Sequence, residues 1–245
     1  MMISMTTYRI TPYLNMGEPR EPYYTPGAEW VRDAVKGLMH RHSALLKTQD
    51  VDTSLFHNHN EQTSHNKPGY PLIIFHYTGG MFLVTGINAG AYALSRLMAL
   101  YHEPVKVTNH LLVSFTLYRE VDQEIDITPN PVSYLIHNYL PLNTEIHKEY
   151  ETAGAMRKIT ILEEAIHKHL EKDLFRYLGI GFPAGDINLS ALPEVNAHRQ
   201  TYKNHHYLSF NLRFSSCLQL PDYLALGNGK AFGYGILERV VGHAV

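Results

Sequence analysis

At 245 residues and 44% hydrophobic content, the chain is long and apolar enough for one large domain or two of ordinary size. Its formal net charge of −2 excludes a global basic field of the kind that attracts nucleic acid, although a local patch needs only a few Lys and Arg. The single cysteine, Cys217, excludes an intrachain disulfide framework or a cysteine-based zinc site.

No apolar run reaches the ~18 residues that a membrane helix needs. The N-terminus shows no basic region followed by an apolar core, so no secretory signal is expected. The simplest expectation is a soluble cytoplasmic protein with no membrane partner.

Thr6 to Leu14 predicts an edge strand, followed by a Pro- and Gly-rich connector over Gly17 to Pro26. Thr25-Pro26 reads as a helix start, an N-cap hydroxyl followed by proline at the first helical position. Trp30, Val31, Ala34, Val35 and Leu38 recur at helical spacing to about Met39, with His40 and His42 near the expected end. Val51 to Gly69 is polar and aperiodic, a loop. Tyr70 to Tyr77 and Met81 to Ile87 flank Thr78-Gly79-Gly80 as a hairpin. Asn88 can cap a helix over Ala89 to Tyr101, and His110 to Tyr118 alternates as a strand. That order is the ferredoxin-like split βαβ pattern.

An acidic, proline-containing stretch, Asp122 to Pro131, reads as a linker. Val132 to Tyr139 is strand-like. Ile159, Leu162, Ile166, Leu170, Leu174 and Leu178 form the stripe of a long helix that Gly179 and Gly181 stop. Ile187 to Leu192, Tyr207 to Phe214 and Phe232 to Val240 are the remaining strands. The second half repeats the first minus one helix. The expected fold is therefore α+β, two tandem ferredoxin-like (RRM-like) domains over 1–122 and 131–245.

Two stretches carry candidate chemistry. Leu218 to Gly235 ends in a glycine-rich loop, where Gly227, Gly229, Gly233 and Gly235 surround Lys230. Glycines can turn successive N–H groups toward one anion, and lysine adds a full charge. The alternative is a glycine-rich hairpin between strands. In the loop before Tyr70, His57-Asn58-His59 offers three readings: metal ligands, an acid–base pair, or polar loop residues. No acidic cluster at ligand spacing lies nearby, so metal is the weakest of the three. Imidazole titrates near neutrality, which suits acid–base work.

Together, several stretches resemble the CRISPR-associated endoribonucleases that process repeat RNA, the Cas-six type, and within it a subgroup with an LFHNH motif. The resemblance rests on Leu55-Phe56-His57-Asn58-His59, Tyr70-Pro71-Leu72-Ile73, Gly86-Ile87-Asn88-Ala89-Gly90, Phe210 to Phe214, Leu220-Pro221-Asp222-Tyr223 and the glycine loop. It spans about Trp30 to Val240. The loop departs from the family pattern in being shorter and in keeping only Lys230.

The resemblance implies cleavage of CRISPR repeat RNA without metal or other cofactor. The 2′-hydroxyl would attack, leaving a cyclic phosphate and a 5′-hydroxyl. It implies His57 and His59 as general base and acid, in either order. Tyr70 would orient the phosphate, and Gly227, Gly229, Lys230, Gly233 and Gly235 would bind RNA. Other proteins of a CRISPR effector complex, and a second copy in a homodimer, are further expected partners. The alternative function is a non-catalytic RNA-binding subunit of such a complex. Lys230-Ala231-Phe232-Gly233-Tyr234-Gly235 also partly imitates the RNP1 pattern of RNA-binding sheets.

Overall fold

The computed structural model describes residues 2–14, 28–56, 69–108, 111–141, 143–179, 181–182, 187–190, 196–202 and 205–240. They divide into two units, Met2–Gln123 and Glu124–Val245.

The first unit has strands β1 (Met2–Leu14), β2 (Ile73–Thr78), β3 (Met81–Ile87), β4 (Val105–Thr108) and β5 (Leu111–Glu124), of which β2 and β3 are near-continuous buried runs. Helices α1 (Ala28–Thr48) and α2 (Ala89–Met98) connect them. The sheet order is β2-β3-β1-β5-β4, with β3 antiparallel to both β1 and β2. This is the ferredoxin-like order with β4 added as an extra strand beside β5. Val35, Met39 and Leu46 of α1 meet Ile10, Phe75, Val84, Leu94, Leu97 and Val113 in one core. Each such side chain, fully buried, is worth about 1.5–3 kcal/mol.

Helix α1 runs nine residues past the expected end at Met39, because buried Leu46 carries its apolar stripe onward. His40 and His42 are therefore interior to the helix and not at its end. Entry into α2 depends on tight backbone contact. Asn88 sits at φ 51°, its N–H donates to Ser4 O at 2.7 Å, and its Oδ1 accepts from Ser4 N–H at 3.1 Å. A Cβ on Gly90 would lie 2.0 Å from Leu72 O, so only glycine lets this helix meet the segment before β2.

The second unit contains β6 (Ile127–Tyr139), α3 (Thr144–Thr152), α4 (Ala155–Lys168), β7 (Ile187–Leu189), β8 (Ala197–Tyr202), β9 (His205–Leu218) and β10 (Ile236–Arg239). Helix α4 continues through a π-helical stretch, His169–Phe175. The order is β10-β6-β9-β7, and β8 also pairs with β9. Again the order is ferredoxin-like, but residues 219–235 contain only a 3₁₀ turn, Lys230–Phe232, where the first unit has α2. Tyr134, Ile136, Leu162, Ile166, Leu174, Phe210, Phe214 and Leu237 are buried at its centre.

Two expectations change here. The stretch read as a linker is strand at both ends, with only Ile125 and Asp126 between β5 and β6. Charge misled because the end of β5 carries exposed Asp122 and Glu124, and Asp126 follows in the connection. Helix α3 was not expected: its sequence is polar, and it is set by Asn143, whose Oδ1 accepts from Ile146 N–H at 2.9 Å.

Candidate functional site

The C-terminal loop and the π-helical stretch share a cluster of polar side chains inside the second unit. The loop leaves β9 at Leu218, whose carbonyl accepts from the Tyr134 hydroxyl of β6 at 2.7 Å; the same hydroxyl accepts from Leu220 N–H at 2.8 Å. It returns at Gly235, whose N–H donates to His137 O at 2.9 Å. Gly235 sits at φ +70°, and a Cβ there would lie 1.8 Å from Leu226 O. Gly227 packs against the Tyr139 ring, which a Cβ would approach to 2.8 Å. The glycines thus bring the loop backbone down onto the end of β6.

The loop's N–H groups bear on the expected phosphate cradle. Leu226 N–H donates to Gly235 O, Asn228 to Leu140 O, Phe232 to Gly229 O and Gly233 to Lys230 O. With Gly235, five donors of this segment are taken by backbone carbonyls, two of them within the loop's own 3₁₀ turn. Lys230 is turned inward: its Nζ lies 2.8 Å from Asp173 Oδ2 and 2.7 Å from Gly227 O, and its side chain is 13% exposed. The charge expected for phosphate is neutralised by a carboxylate 57 positions away in sequence.

Beside this ion pair, the fully buried Tyr139 shares a hydrogen bond of 2.7 Å with His169 Nδ1. Burial, then the Lys230 and Lys168 charges, hold the His169 pKa down at about 4, against the opposing pull of Asp173. The imidazole is therefore neutral at physiological pH. Burial, reinforced by Asp173, raises the Tyr139 hydroxyl well above its usual value, so it stays protonated. His169 also lines a pocket of about 260 Å3 with Asn143, Glu149, Glu164, Lys168 and Asn228. Chemically, this cluster holds neutral donors and one closed ion pair, a rigid support for the loop.

Tyr139, His169 and Asp173 were not singled out from sequence. The available signal was the i, i+4 spacing of His169 and Asp173 along the flank of the α4 stripe, in a segment that winds as a π-helix, a form frequent at functional sites.

The remaining site expectations lie in the first unit. His57 and His59 lie outside the described residues. Tyr70 is 2% exposed and belongs to the interior. His40 is exposed on α1. His42 packs edge-on against Tyr101 at 5.3 Å, and Arg41 between them donates to Lys106 O at 3.0 Å. Among the described residues, no group of three His, Cys, Asp or Glu could hold a metal ion. No described helix is long and apolar enough to cross a membrane.

Comparison with known families bears on the unit that holds the loop. Residues 126–240 match the Cas6b C-terminal domain. Tyr139, His169, Asp173, Lys230 and all four loop glycines fall inside that Cas6b-like region. Solved structures extend the likeness to the whole chain. A crystal structure of Cas6b superposes with a TM-score of 0.68 at 17% identity, covering 98% of this chain and 100% of that one. A structure described as the CRISPR RNA processing endoribonuclease Cas6b gives 0.58 at 15% identity, over 97% and 100%. Csf5, described as a CRISPR-Cas type IV Cas6 crRNA endonuclease, gives 0.56 at 14%, over 98% and 100%. No curated protein matches the chain in sequence. At these identities the structural likeness establishes the tandem ferredoxin-like fold.

Proposed function

We propose that this chain is an endoribonuclease of the Cas6 type, in the subgroup with the LFHNH motif, that cuts CRISPR precursor RNA within its repeats in the cytoplasm. The observation that carries the reading is the Cas6b C-terminal match over residues 126–240, which covers the loop proposed to hold RNA. Support also comes from the fold it shares along its length with Cas6b, and from the string Leu55-Phe56-His57-Asn58-His59 in the sequence.

The proposed reaction needs no metal, because RNA carries its own nucleophile. The 2′-oxygen forms a bond to the adjacent phosphorus, and the bond from phosphorus to the 5′-oxygen breaks. One of His57 and His59 takes the 2′-hydroxyl proton, and the other delivers a proton to the leaving 5′-oxygen. Alignment and proton transfer are the protein's share of the barrier. Gly227, Gly229, Gly233 and Gly235 form the loop that meets the RNA backbone. Association with other effector-complex proteins or with a second copy is part of the same reading.

Cleavage of labelled repeat RNA in EDTA tests it. Product should form with a cyclic phosphate end, and a deoxyribose at the cut position should abolish it. A His57→Ala, His59→Ala double variant should bind and not cut. Persistent cutting of the deoxy substrate would point to a hydrolytic route. Tight binding with no cutting by the wild type would instead make the chain a non-catalytic RNA-binding subunit.

A further inference from the structure

The one cation of the glycine loop is engaged before any RNA arrives. Two of the three Nζ donors of Lys230 go to Asp173 Oδ2 and Gly227 O, and the side chain is 13% exposed. The Gly227–Asn228 peptide is gripped from both sides, its carbonyl by Lys230 and its N–H by Leu140 O at 3.0 Å. A planar trans peptide directs these two groups oppositely, so the pair of contacts fixes the plane and with it the start of the 3₁₀ turn. Turning Lys230 outward would strip both acceptors. It would also take from the Asp173 carboxylate the cation that balances it.

We propose that Lys230 is a positioning residue: with Asp173 it clips residues 227–233 to the π-helical stretch in the conformation that meets RNA, and it does not itself hold a phosphate. The RNA half of this statement rests on the proposed function; the clip rests on the structure alone. The two roles for Lys230 demand opposite responses from Asp173. If Lys230 holds a phosphate, Asp173 competes with the RNA, and removing its charge frees the cation. If Lys230 is a clip, Asp173 is half of it, and removing its charge releases the loop.

The experiment uses the full chain with labelled repeat RNA in a salt series, and amide hydrogen exchange on the free protein. Asp173→Asn and Lys230→Met should each speed exchange of the 226–235 amides by about tenfold, the loss expected for one charge-assisted hydrogen bond. Both should weaken RNA binding by about the same factor, without changing the dependence of log K on log salt. The swapped pair Lys230→Asp, Asp173→Lys regains the ion pair but not the bond to Gly227 O, so it should recover part of the slow exchange and of the affinity together, which a general loss of stability would not do.

Tighter RNA binding by Asp173→Asn would overturn the proposal. So would a salt slope that falls by about 0.7 in Lys230→Met, the signature of one lost contact to a single-strand phosphate. Unchanged loop exchange in both single variants would also overturn it, whatever the RNA does. A wild type that shows no affinity for repeat RNA, with loop exchange still accelerated by Asp173→Asn, would sink the functional reading and leave the clip standing.

Discussion

The two units make the same return journey by different means. In the first, α2 connects β3 to the rest of its sheet, burying Ala91, Ala93, Leu94, Leu97 and Met98. In the second, residues 219–235 bridge β9 to β10 and bury Leu220, Leu224, Ala225, Leu226 and Ala231. The apolar content is similar. The difference lies in the peptide groups: a helix satisfies its own, whereas the loop must find a partner for each. Leu220 N–H needs the Tyr134 hydroxyl, Tyr223 N–H needs Leu237 O, and Gly235 N–H needs His137 O. Such a loop is specified residue by residue. It also presents irregular backbone at a surface, which is where binding is commonly built.

The sharpest way to break this comparison is to add one methyl group to each connection. Gly235→Ala drives a Cβ into Leu226 O and demands φ +70° of alanine. Strain and overpacking together should cost about 4 kcal/mol. Gly90→Ala also meets a carbonyl, at 2.0 Å, but alanine recovers about 1 kcal/mol of helix propensity. Its net cost should be smaller, about 2–3 kcal/mol. Urea unfolding of both variants checks the ranking, and equal costs would mean that the loop is no more tightly specified than the helix.

Acid should separate the units next. His169 has its pKa depressed to about 4 by burial and by Lys230, against an ordinary value of 6.5. Since the unfolded chain takes the proton first, stability from this group is full above about 6.5, falls as pH drops toward 4, and is flat below. The loss amounts to roughly 3 kcal/mol across that window. His169→Gln should flatten this limb of the pH–stability curve relative to wild type. In hydrogen exchange at low pH, the 226–235 amides should open before those of α2. Simultaneous opening would place the acid-sensitive group elsewhere.

Much of the architecture was legible because it is written in local periodicity. The hairpin of β2 and β3, the α4 stripe and the long β9 all follow from residues within one element. The missing second helix of the C-terminal unit was legible too, since four glycines cannot continue one. What sequence hid was long-range pairing. Lys230 looked like a free cation because Asp173 lies on another element. Acids at the end of β5 and prolines at the start of β6 looked like a linker because an exposed strand face and a linker have the same composition. In each case a contact outside the reach of local pattern decided the outcome.

The smallest effects concern two asparagines at the starts of helices. Asn143 is a true N-cap: its backbone is extended, and its side chain accepts from Ile146 N–H. Asn88 precedes α2 but makes no side-chain cap; its oxygen reaches back to Ser4 N–H on β1 while its backbone holds φ 51°. Asn88→Ala should therefore lose both a tolerated left-handed conformation and an inter-element hydrogen bond, about 2 kcal/mol together. Asn88→Gly, relieved of the first penalty, should cost about 1 kcal/mol or less. At Asn143 glycine is also a fair cap, so Asn143→Ala should cost about 1 kcal/mol and Asn143→Gly only a few tenths. The first asparagine is thus a bolt between strand and helix, and the second a local cap. Denaturant midpoints of the four variants distinguish them: if Asn88→Ala costs no more than Asn143→Ala, the side-chain bond to Ser4 N–H adds nothing beyond what a local cap would.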